Sequence, residues 1–204
     1  MKVIGITGGT GAGKTTALEV LAGFGVRVID CDAVYHGLLE GSVTMRDELF
    51  AAFGDILTDG KIDRKKLGQA VFGDPEKLEQ LNKITHKYVT EAVRAELKKE
   101  ATSDDYAAAI DAIALIESGM ADICDVVVGV TAPESVRVKR LMEREGVSEE
   151  YALLRIRAQK SEEWFRENCD HILENGGSRE QFKELCIEYF SKVLDDGGEF
   201  DEHI

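Results

Sequence analysis

Short apolar runs alternate with amphipathic stretches from the N-terminus of the chain onwards. The runs "KVIGIT" at residues 2–7 and "VRVID" at residues 26–30 are rich in β-branched residues and have the length of strands. Between them, "KTTALEVLAGFG" has apolar residues at helical spacing and ends at Gly25, a typical helix stop. Further strands are predicted, the last one from a weaker pattern, at residues 107–113, 125–131 and 171–175. Strands separated by helices predict an α/β fold whose parallel sheet is covered on both faces.

The longest stretch without a strong strand pattern lies between the second and third predicted strands, at residues 33–105. Its patterns are helical, as in "EKLEQLNKITHKYVTEAVRAELKKE". Because structureless loops beyond ~15 residues are uncommon in compact domains, a helical lobe is expected there. A second helical stretch, residues 134–168, concentrates arginine and lysine. The final "DDGGEFDEHI" has no apolar periodicity and is expected to fray. We interpret the chain as one domain, 1–204, with its core in residues 1–32, 106–133 and 169–195.

The charge balance limits the possible partners. The formal net charge is -14 over 204 residues, which argues against a nucleic-acid partner because binding to DNA or RNA depends on neutralising phosphates with Lys and Arg. There is no C-x-x-C spacing, so the cysteines are expected to be buried apolar residues in a reducing compartment. No apolar stretch approaches the ~18 residues of a membrane span. We therefore expect a cytoplasmic protein without a membrane association, and no obligatory protein partner is evident. The four cysteines are Cys31, Cys124, Cys169 and Cys186.

A glycine-rich loop follows the first predicted strand directly. Gly8, Gly13, Lys14 and Thr15 match G-x-x-x-x-G-K-[ST], which holds the phosphates of a nucleotide between a strand and the N-terminus of a helix. Glycines allow successive N–H groups to point inward, Lys14 would reach the β- and γ-phosphates, and the Thr15 hydroxyl would bind Mg²⁺. ATP and Mg²⁺ are the expected cofactors. The residues expected to bind the nucleotide are Gly9, Thr10, Gly11, Ala12, Gly13, Lys14, Thr15 and Thr16.

The loop alone leaves the reaction open among a GTPase, an ATP-driven machine and a small-molecule kinase. A guanine-specific N-K-x-D element is missing, and an ATP-driven motor is typically larger, which favours a kinase. A kinase needs a base on the acceptor side, and "VIDCDAVYH" provides two candidates. Because strand side chains alternate, Asp30 and Asp32 are expected to share one side of the strand end, with Cys31 turned away. Asp32 is the candidate catalytic base and a possible Mg²⁺ ligand. In the alternative interpretation, one of the two aspartates only caps the next helix.

Asp111 ends a predicted apolar strand. A carboxylate at that place is a possible Mg²⁺ ligand through water, although a structural role is equally compatible with the pattern.

The order of motifs along nearly the whole chain resembles that of the dephospho-CoA kinase family. The matching segments are "GITGGTGAGKTT", "VIDCDAVYH", "IDRKKLGQAVFGDPEKLEQLNKITH", "IDAIALIESG", "VKRLMEREGVSEEYALLRIRAQ" and "CDHILENGG". The resemblance implies a three-layer P-loop NTPase fold with a helical insertion, residues 33–105, that binds the acceptor, and a helical lid, residues 134–168. It also implies transfer of the γ-phosphoryl group of ATP to the 3′-hydroxyl of dephospho-CoA, giving coenzyme A and ADP.

The resemblance also implies roles for individual residues. Asp32 falls on the base of the family, and Lys14 belongs to the catalytic set. Arg144 matches a lid position, and Arg140 precedes it by one turn; both would stabilise charge on the transferring group. His86 matches a family histidine that would contact the acceptor. The alternatives are a solvated helix face for Arg140 and a packed histidine for His86.

The chain departs from the family pattern at three positions. Ile113 and Lys87 stand where prolines are common in the family, and Phe165 occupies the place of a basic lid residue. Two rival functions remain open at this point. One is another P-loop small-molecule kinase of the nucleoside or sugar type, and the other is a non-catalytic ATP-binding regulator.

Overall fold

The computed structural model describes residues 1–100 and 107–195. The predicted boundary between residues 105 and 106 and the predicted fraying beyond Asp195 lie outside the described residues. Contacts divide the chain into two compact units, which are described separately. The first unit comprises Met1–Val28, Asp105–Ile116 and Ala121–Ile204, and the second comprises Ile29–Asp104 and Glu117–Met120.

The described residues form strands and helices in the predicted alternation. The strands are β1 (Lys2–Thr7), β2 (Arg27–Asp30), β3 (Leu57–Thr58), β4 (Lys61–Ile62), β5 (Ala107–Asp111), β6 (Val126–Thr131) and β7 (His171–Glu174). The helices are α1 (Lys14–Gly23), α2 (Cys31–Gly41), α3 (Val43–Phe53), α4 (Arg64–Val71), α5 (Pro75–Glu100), α6 (Glu134–Glu145), α7 (Glu149–Arg157), α8 (Glu162–Asn168) and α9 (Arg179–Asp195).

A five-stranded sheet has the strand order β2-β5-β1-β6-β7. Strand β1 pairs in parallel with β5 and with β6, and β6 pairs in parallel with β7. All five predicted strands are present, although β5 ends at Asp111, two residues before the predicted end. Beyond that point its neighbour β1 has turned into the glycine-rich loop. The Thr7 hydroxyl donates a hydrogen bond to the Ile113 carbonyl instead, at 3.0 Å.

The first unit packs α1 and α9 together and against the sheet. Its core contains the fully buried side chains of Ile4, Ile6, Leu21, Val128 and Phe190. Helices α6 and α7 bury a smaller apolar cluster of their own, formed by Val138, Leu141, Ala152 and Ile156. The sheet carries the loop between β1 and α1 at the carboxyl ends of its parallel strands, where open α/β sheets bind ligands.

The second unit is mainly helical, as expected from the patterns after residue 33. Its core is formed by Leu39, Met45, Leu49, Ile56, Leu67 and Ile84. The sequence patterns did not predict the hairpin of β3 and β4. Each of these strands has two residues, too few for a recognisable alternation, and their turn at Asp59 and Gly60 has positive φ at both positions. No helix within residues 1–100 or 107–195 is both long and apolar enough to cross a membrane.

Candidate active site

The glycine-rich loop joins β1 to the N-terminus of α1, as the motif predicts. Gly13 is the residue preceding the helix and has φ 109°, a conformation that side chains other than glycine rarely adopt. Helix α1 has neither a side-chain cap nor an acidic residue in its first turn. Its positive end therefore lacks a competing anion from its own sequence, which suits a phosphate.

The loop glycines also leave space for the surrounding protein. A Cβ added to Gly9 would lie 2.3 Å from Nη2 of Arg137, and a Cβ on Gly13 would lie 2.1 Å from Nδ2 of Asn175. In the motif, glycines give a phosphate room to approach the backbone. The structure adds that the same glycines are required for the packing of an arginine and an asparagine against the loop.

Lys14 and Asp111 lie close together. The Lys14 Nζ donates to the Gly8 carbonyl oxygen at 3.3 Å and is 4.0 Å from Oδ1 of Asp111. The register of β1 and β5 pairs Ile6 with Asp111, which places that carboxylate beside the start of the loop. Asp111 therefore occupies the strand-end position expected from the sequence.

A cavity of about 360 Å³ opens over the loop. Ala12 and Thr16, two of the residues expected to bind nucleotide, do not line it; the Ala12 side chain is buried in the core. Their backbone N–H groups still belong to the loop and the first turn of α1. The cavity is lined by Gly9, Thr10, Gly11, Gly13, Lys14, Thr15, Ile113, Arg140 and Arg144.

Arg140 is fixed against the loop by both ends of its guanidinium group. Its Nη1 donates to the carbonyl oxygens of Gly11 and Ala12, each at 3.3 Å. Its Nη2 donates to the backbone oxygen of Asn175 at 3.2 Å and to the side-chain oxygen of Asn175 at 2.9 Å. Burial lowers the pKa of Arg140 from its ordinary value. The alternative of a solvated helix face does not hold, because Arg140 lines the cavity and contacts the loop.

Arg144 follows one turn later on α6 and is exposed. Its Nη2 donates to Oε1 of Glu145 at 2.5 Å, and the other carboxylate oxygen of Glu145 pairs with Arg155. Arg144 also lines the cavity over the loop. The structure thus brings Lys14, Arg140 and Arg144 to one cavity.

Three residues that the sequence reasoning missed hold the loop in place. Arg137 of α6 is 8% exposed and donates from Nε to the Thr10 carbonyl oxygen at 2.8 Å. Gln159, in the connection between α7 and α8, accepts the Thr10 N–H at 2.8 Å. Asn175, after β7, donates to the Ala12 carbonyl oxygen at 2.8 Å. One signal was present in the sequence, because Arg137 lies on the apolar face of α6 with Val138 and Leu141.

Thr15 and Asp111 offer oxygen donors of the kind that Mg²⁺ prefers. The Thr15 side chain is exposed in the cavity, and Asp111 has a side chain 25% exposed beside Lys14. Within residues 1–100 and 107–195 no group of three or more His, Cys, Asp or Glu side chains forms a metal cluster. This set still fits Mg²⁺, which typically takes one or two protein oxygens and completes its octahedron with water and substrate phosphates.

The second unit contains the two aspartates predicted on the acceptor side. Strand β2 ends at Asp30, and Asp32 lies in the first turn of α2. The expectation that both aspartates share one side of a strand is wrong. Asp30 caps α2 by accepting the N–H groups of Asp32 and Ala33 at 2.9 and 3.1 Å, so the chain becomes helical at Cys31. The capping alternative holds for Asp30 and leaves the exposed Asp32 carboxylate uncommitted to the cap.

His86 lies in the middle of α5 and is half-buried. Burial lowers the pKa of His86 from its ordinary value, and the nearby carboxylate of Glu117 opposes this shift. A neutral imidazole beside a carboxylate can donate or accept one hydrogen bond, as an acceptor contact requires. Asp32, His86 and Glu117 belong to the second unit, whereas the loop cavity belongs to the first.

The chain is similar to known proteins over most of its length. A family model described as dephospho-CoA kinase matches residues 2–181. The chain belongs to this family. The dephospho-CoA kinase of Corynebacterium diphtheriae is 37% identical over 194 residues, which cover 94% of this chain and 97% of that protein.

Solved structures agree with this assignment. A Thermus thermophilus protein superposes with a TM-score of 0.76 at 32% identity, covering 94% of this chain and 97% of its own. The dephospho-CoA kinase of Campylobacter jejuni superposes with a TM-score of 0.72 at 25% identity, covering 97% and 100%. The family recognised from the order of motifs is confirmed, and so is the predicted α/β fold with its parallel sheet.

The three departures from the dephospho-CoA kinase pattern have different surroundings. Ile113 is exposed and lines the cavity over the loop. Lys87 forms an ion pair with Glu48 in the second unit, with 2.6 Å between Nζ and Oε2. Phe165 is 4% exposed and belongs to the apolar interior of the first unit. A basic residue at position 165 would be buried, whereas the adjacent Arg166 is exposed and forms ion pairs with two glutamates.

Proposed function

We propose that the chain transfers the γ-phosphoryl group of ATP to the 3′-hydroxyl of the ribose of dephospho-CoA, which gives coenzyme A and ADP. The observation that carries this proposal is the family match over residues 2–181. It spans the phosphate loop in the first unit as well as Asp32 and His86 in the second. A kinase of another family, or a regulator, that shared only the phosphate loop would be expected to match the family model around the loop and not across both units.

The loop and α6 would form the donor half of the site. The N–H groups of the loop and the positive end of α1 would surround the β-phosphate, while Lys14 reaches the β- and γ-phosphates. Arg140 and Arg144 line the same cavity and would balance the charge that spreads over the transferring group. Both side chains already line the cavity, so little reorganisation is needed when charge develops.

Thr15 and Asp111 would hold Mg²⁺ in this half of the site. When bound, the ion neutralises phosphate charge and fixes the triphosphate for in-line transfer. Asp111 would act through water, and its carboxylate would also pair with Lys14.

Asp32 would act on the acceptor. Because Asp30 satisfies the first N–H groups of α2, the Asp32 carboxylate remains available to accept the proton of the attacking hydroxyl. His86 would orient the acceptor by a hydrogen bond. The segment of residues 134–168 would act as the lid whose closure keeps water from taking the phosphoryl group.

The proposal places the enzyme in the cytoplasm with small molecules as its partners. The reaction needs neither a nucleic acid nor a second protein, in keeping with a net charge of -14. Both substrates are anionic, so the local cations of the loop and α6 must offset the negative net charge of the chain.

An acceptor panel tests the proposal. The purified protein is given ATP and Mg²⁺ with dephospho-CoA, adenosine, a nucleoside monophosphate or gluconate, and ADP release is followed in a coupled assay. We expect strong stimulation by dephospho-CoA alone. Stimulation by adenosine, the monophosphate or gluconate instead would favour a nucleoside or sugar kinase, and ATP binding without stimulation by any acceptor would favour a regulator.

A further inference from the structure

Both backbone groups of Thr10 are held by side chains from distant parts of the first unit. Arg137 donates from Nε to the Thr10 carbonyl oxygen at 2.8 Å, and Gln159 accepts the Thr10 N–H through Oε1 at 2.8 Å. The same Oε1 also accepts from Nη2 of Arg137 at 3.0 Å. The three residues therefore form a closed ring of hydrogen bonds, of which Thr10 lines the nucleotide cavity.

The arginine in this ring is buried with neutral partners. Arg137 is 8% exposed, and its side chain donates hydrogen bonds to neutral acceptors, while two nearby glutamates, one on α6 and one on α8, act on it electrostatically. Burying a guanidinium group is costly unless its N–H groups find acceptors, and here the acceptors are the Thr10 carbonyl oxygen and the Gln159 amide oxygen. A purely structural position on α6 would be filled more cheaply by an apolar residue like its neighbours Val138 and Leu141.

The backbone of the loop lies very close to this arginine. A Cβ on Gly9 would lie 2.3 Å from Nη2 of Arg137, and one on Gly11 would lie 3.0 Å from the Arg137 carbonyl oxygen. Two of the loop glycines thus permit the close approach of Arg137. Thr10 lies between them and lines the cavity.

We infer that Arg137 and Gln159 are positioning residues, which hold the Thr10 peptide so that the loop N–H groups stay oriented towards the phosphates of a nucleoside di- or triphosphate. Gln159 lies in the connection between α7 and α8, inside the segment proposed as the lid. Its bond to Thr10 makes loop geometry depend on the placement of that connection. The inference rests on the proposed function only in assigning a nucleotide to the loop, and it does not depend on the acceptor.

Three variants separate positioning from general stability. Gln159→Leu removes the acceptor of two hydrogen bonds at nearly constant size, and Gln159→Glu keeps an acceptor oxygen in place. Gln181→Leu is the matched control, since Gln181 also accepts a backbone N–H through Oε1, that of Ser178 at 2.9 Å, without touching the loop. Affinity for ADP is measured by calorimetry without any acceptor, together with thermal unfolding and hydrogen exchange of the peptide covering residues 8–16.

We expect Gln159→Leu to weaken ADP binding by about tenfold or more, because a hydrogen bond involving a charged group is lost and the Thr10 N–H loses its acceptor. It should also speed exchange in the loop peptide. Gln159→Glu should bind ADP within about threefold of the parent, and Gln181→Leu should match the parent in ADP affinity while losing comparable thermal stability.

Equal ADP affinity of Gln159→Leu and the parent would overturn the inference. So would an equal loss of affinity in Gln181→Leu, or a failure of Gln159→Glu to restore binding and loop protection. Because every readout uses ADP alone, these outcomes are distinguishable from a failure of dephospho-CoA as the acceptor.

Discussion

The amino group of Lys14 lies 4.0 Å from Oδ1 of Asp111, so the lysine of the loop and the last residue of β5 form an ion pair at the edge of the nucleotide cavity. Both side chains are mostly buried, at 15% and 25% exposure. The pairing follows from strand register, since β5 ends beside the point where β1 becomes the loop. A carboxylate in this position can pair with the lysine and bind a metal ion at the same time.

Asp111→Asn should raise the Mg²⁺ concentration needed for half-maximal activity and lower kcat. Loss of a residue that contacts a metal ion through one intervening group typically lowers metal affinity or activity by ~10–100-fold. The measurement is a Mg²⁺ titration of ADP release at saturating ATP. Asp122→Asn, at an exposed position, is the control and should titrate as the parent does. An unchanged Mg²⁺ requirement in Asp111→Asn would show that this carboxylate has no part in binding the ion.

Asp32→Asn should lower kcat by ~10²–10⁴-fold, because an amide cannot accept the proton of the attacking hydroxyl. ADP affinity should stay near that of the parent. Asp30→Asn is the matched control two residues earlier: asparagine is as good a helix cap as aspartate, so this variant should keep most of its activity. If Asp32→Asn transfers phosphoryl at the parent rate, or if both variants lose activity equally, Asp32 is not the base.

Gly13→Ala should destabilise the folded protein and weaken ADP binding. The residue has φ 109°, and its new Cβ would lie 2.1 Å from Nδ2 of Asn175, so backbone strain and a clash act together. Strain of this kind costs ~1–3 kcal/mol. Chemical denaturation measures the free energy of unfolding.

The matched substitution is Gly23→Ala, at the other end of the same helix. Nothing lies within 4 Å of the added Cβ there, so we expect stability unchanged or raised by up to ~1 kcal/mol. Equal stability of Gly13→Ala and Gly23→Ala would contradict the described loop geometry.

The stability of the protein should fall as the pH is lowered through the ordinary pKa of histidine, in part because of His86. Burial lowers the pKa of His86 below 6.5 in the folded chain. Below pH 6.5 the unfolded chain therefore binds a proton that the folded chain does not, and unfolding is favoured. Above that pH the two states carry the same charge at this residue, and the penalty is absent.

His86→Gln should reduce the fall of the free energy of unfolding with decreasing pH. Its free energy of unfolding should run parallel to that of the parent between about pH 7 and 8, and should decline less steeply below about pH 6.5. Urea denaturation at a series of pH values measures both curves. An identical slope for the variant and the parent below pH 6.5 would refute the assigned effect of burial.

The elements of the fold that have local sequence signals could be predicted from the sequence. Strand β1, the loop and α1 follow one another with their own signals, namely β-branched residues, glycines and Gly25 as the stop. The five strands of the sheet were predicted for the same reason. The hairpin of β3 and β4 was missed because two residues per strand carry no periodicity.

The error at the aspartate pair has a local cause. The apolar run before Asp30 indicates a strand. If the strand continued, the alternation of its side chains would place Asp32 on the same side as Asp30. A side-chain cap at Asp30 competes with extension, and the structure resolves this in favour of a helix that begins at Cys31. The motif indicated which residues carry chemistry but not the conformation that presents them.

The residues that hold the loop could not be predicted from sequence patterns. Thr10 bonds to Gln159 across 149 positions, and Ala12 bonds to Asn175 across 163. Only tertiary structure brings such residues together. Arg137 offered a hint, an arginine within an apolar stripe, but its partner could not be identified without the fold.

Identification of the phosphorylated product tests the central claim most directly. ATP, Mg²⁺ and dephospho-CoA are incubated with the protein, and the product is analysed by mass spectrometry and by phosphorus NMR coupled to the ribose protons. The account predicts one added phosphoryl group on the 3′-oxygen of the ribose, formed in equal amount to ADP. A phosphate at the 2′-oxygen, or ADP formed without a phosphorylated acceptor, would contradict it.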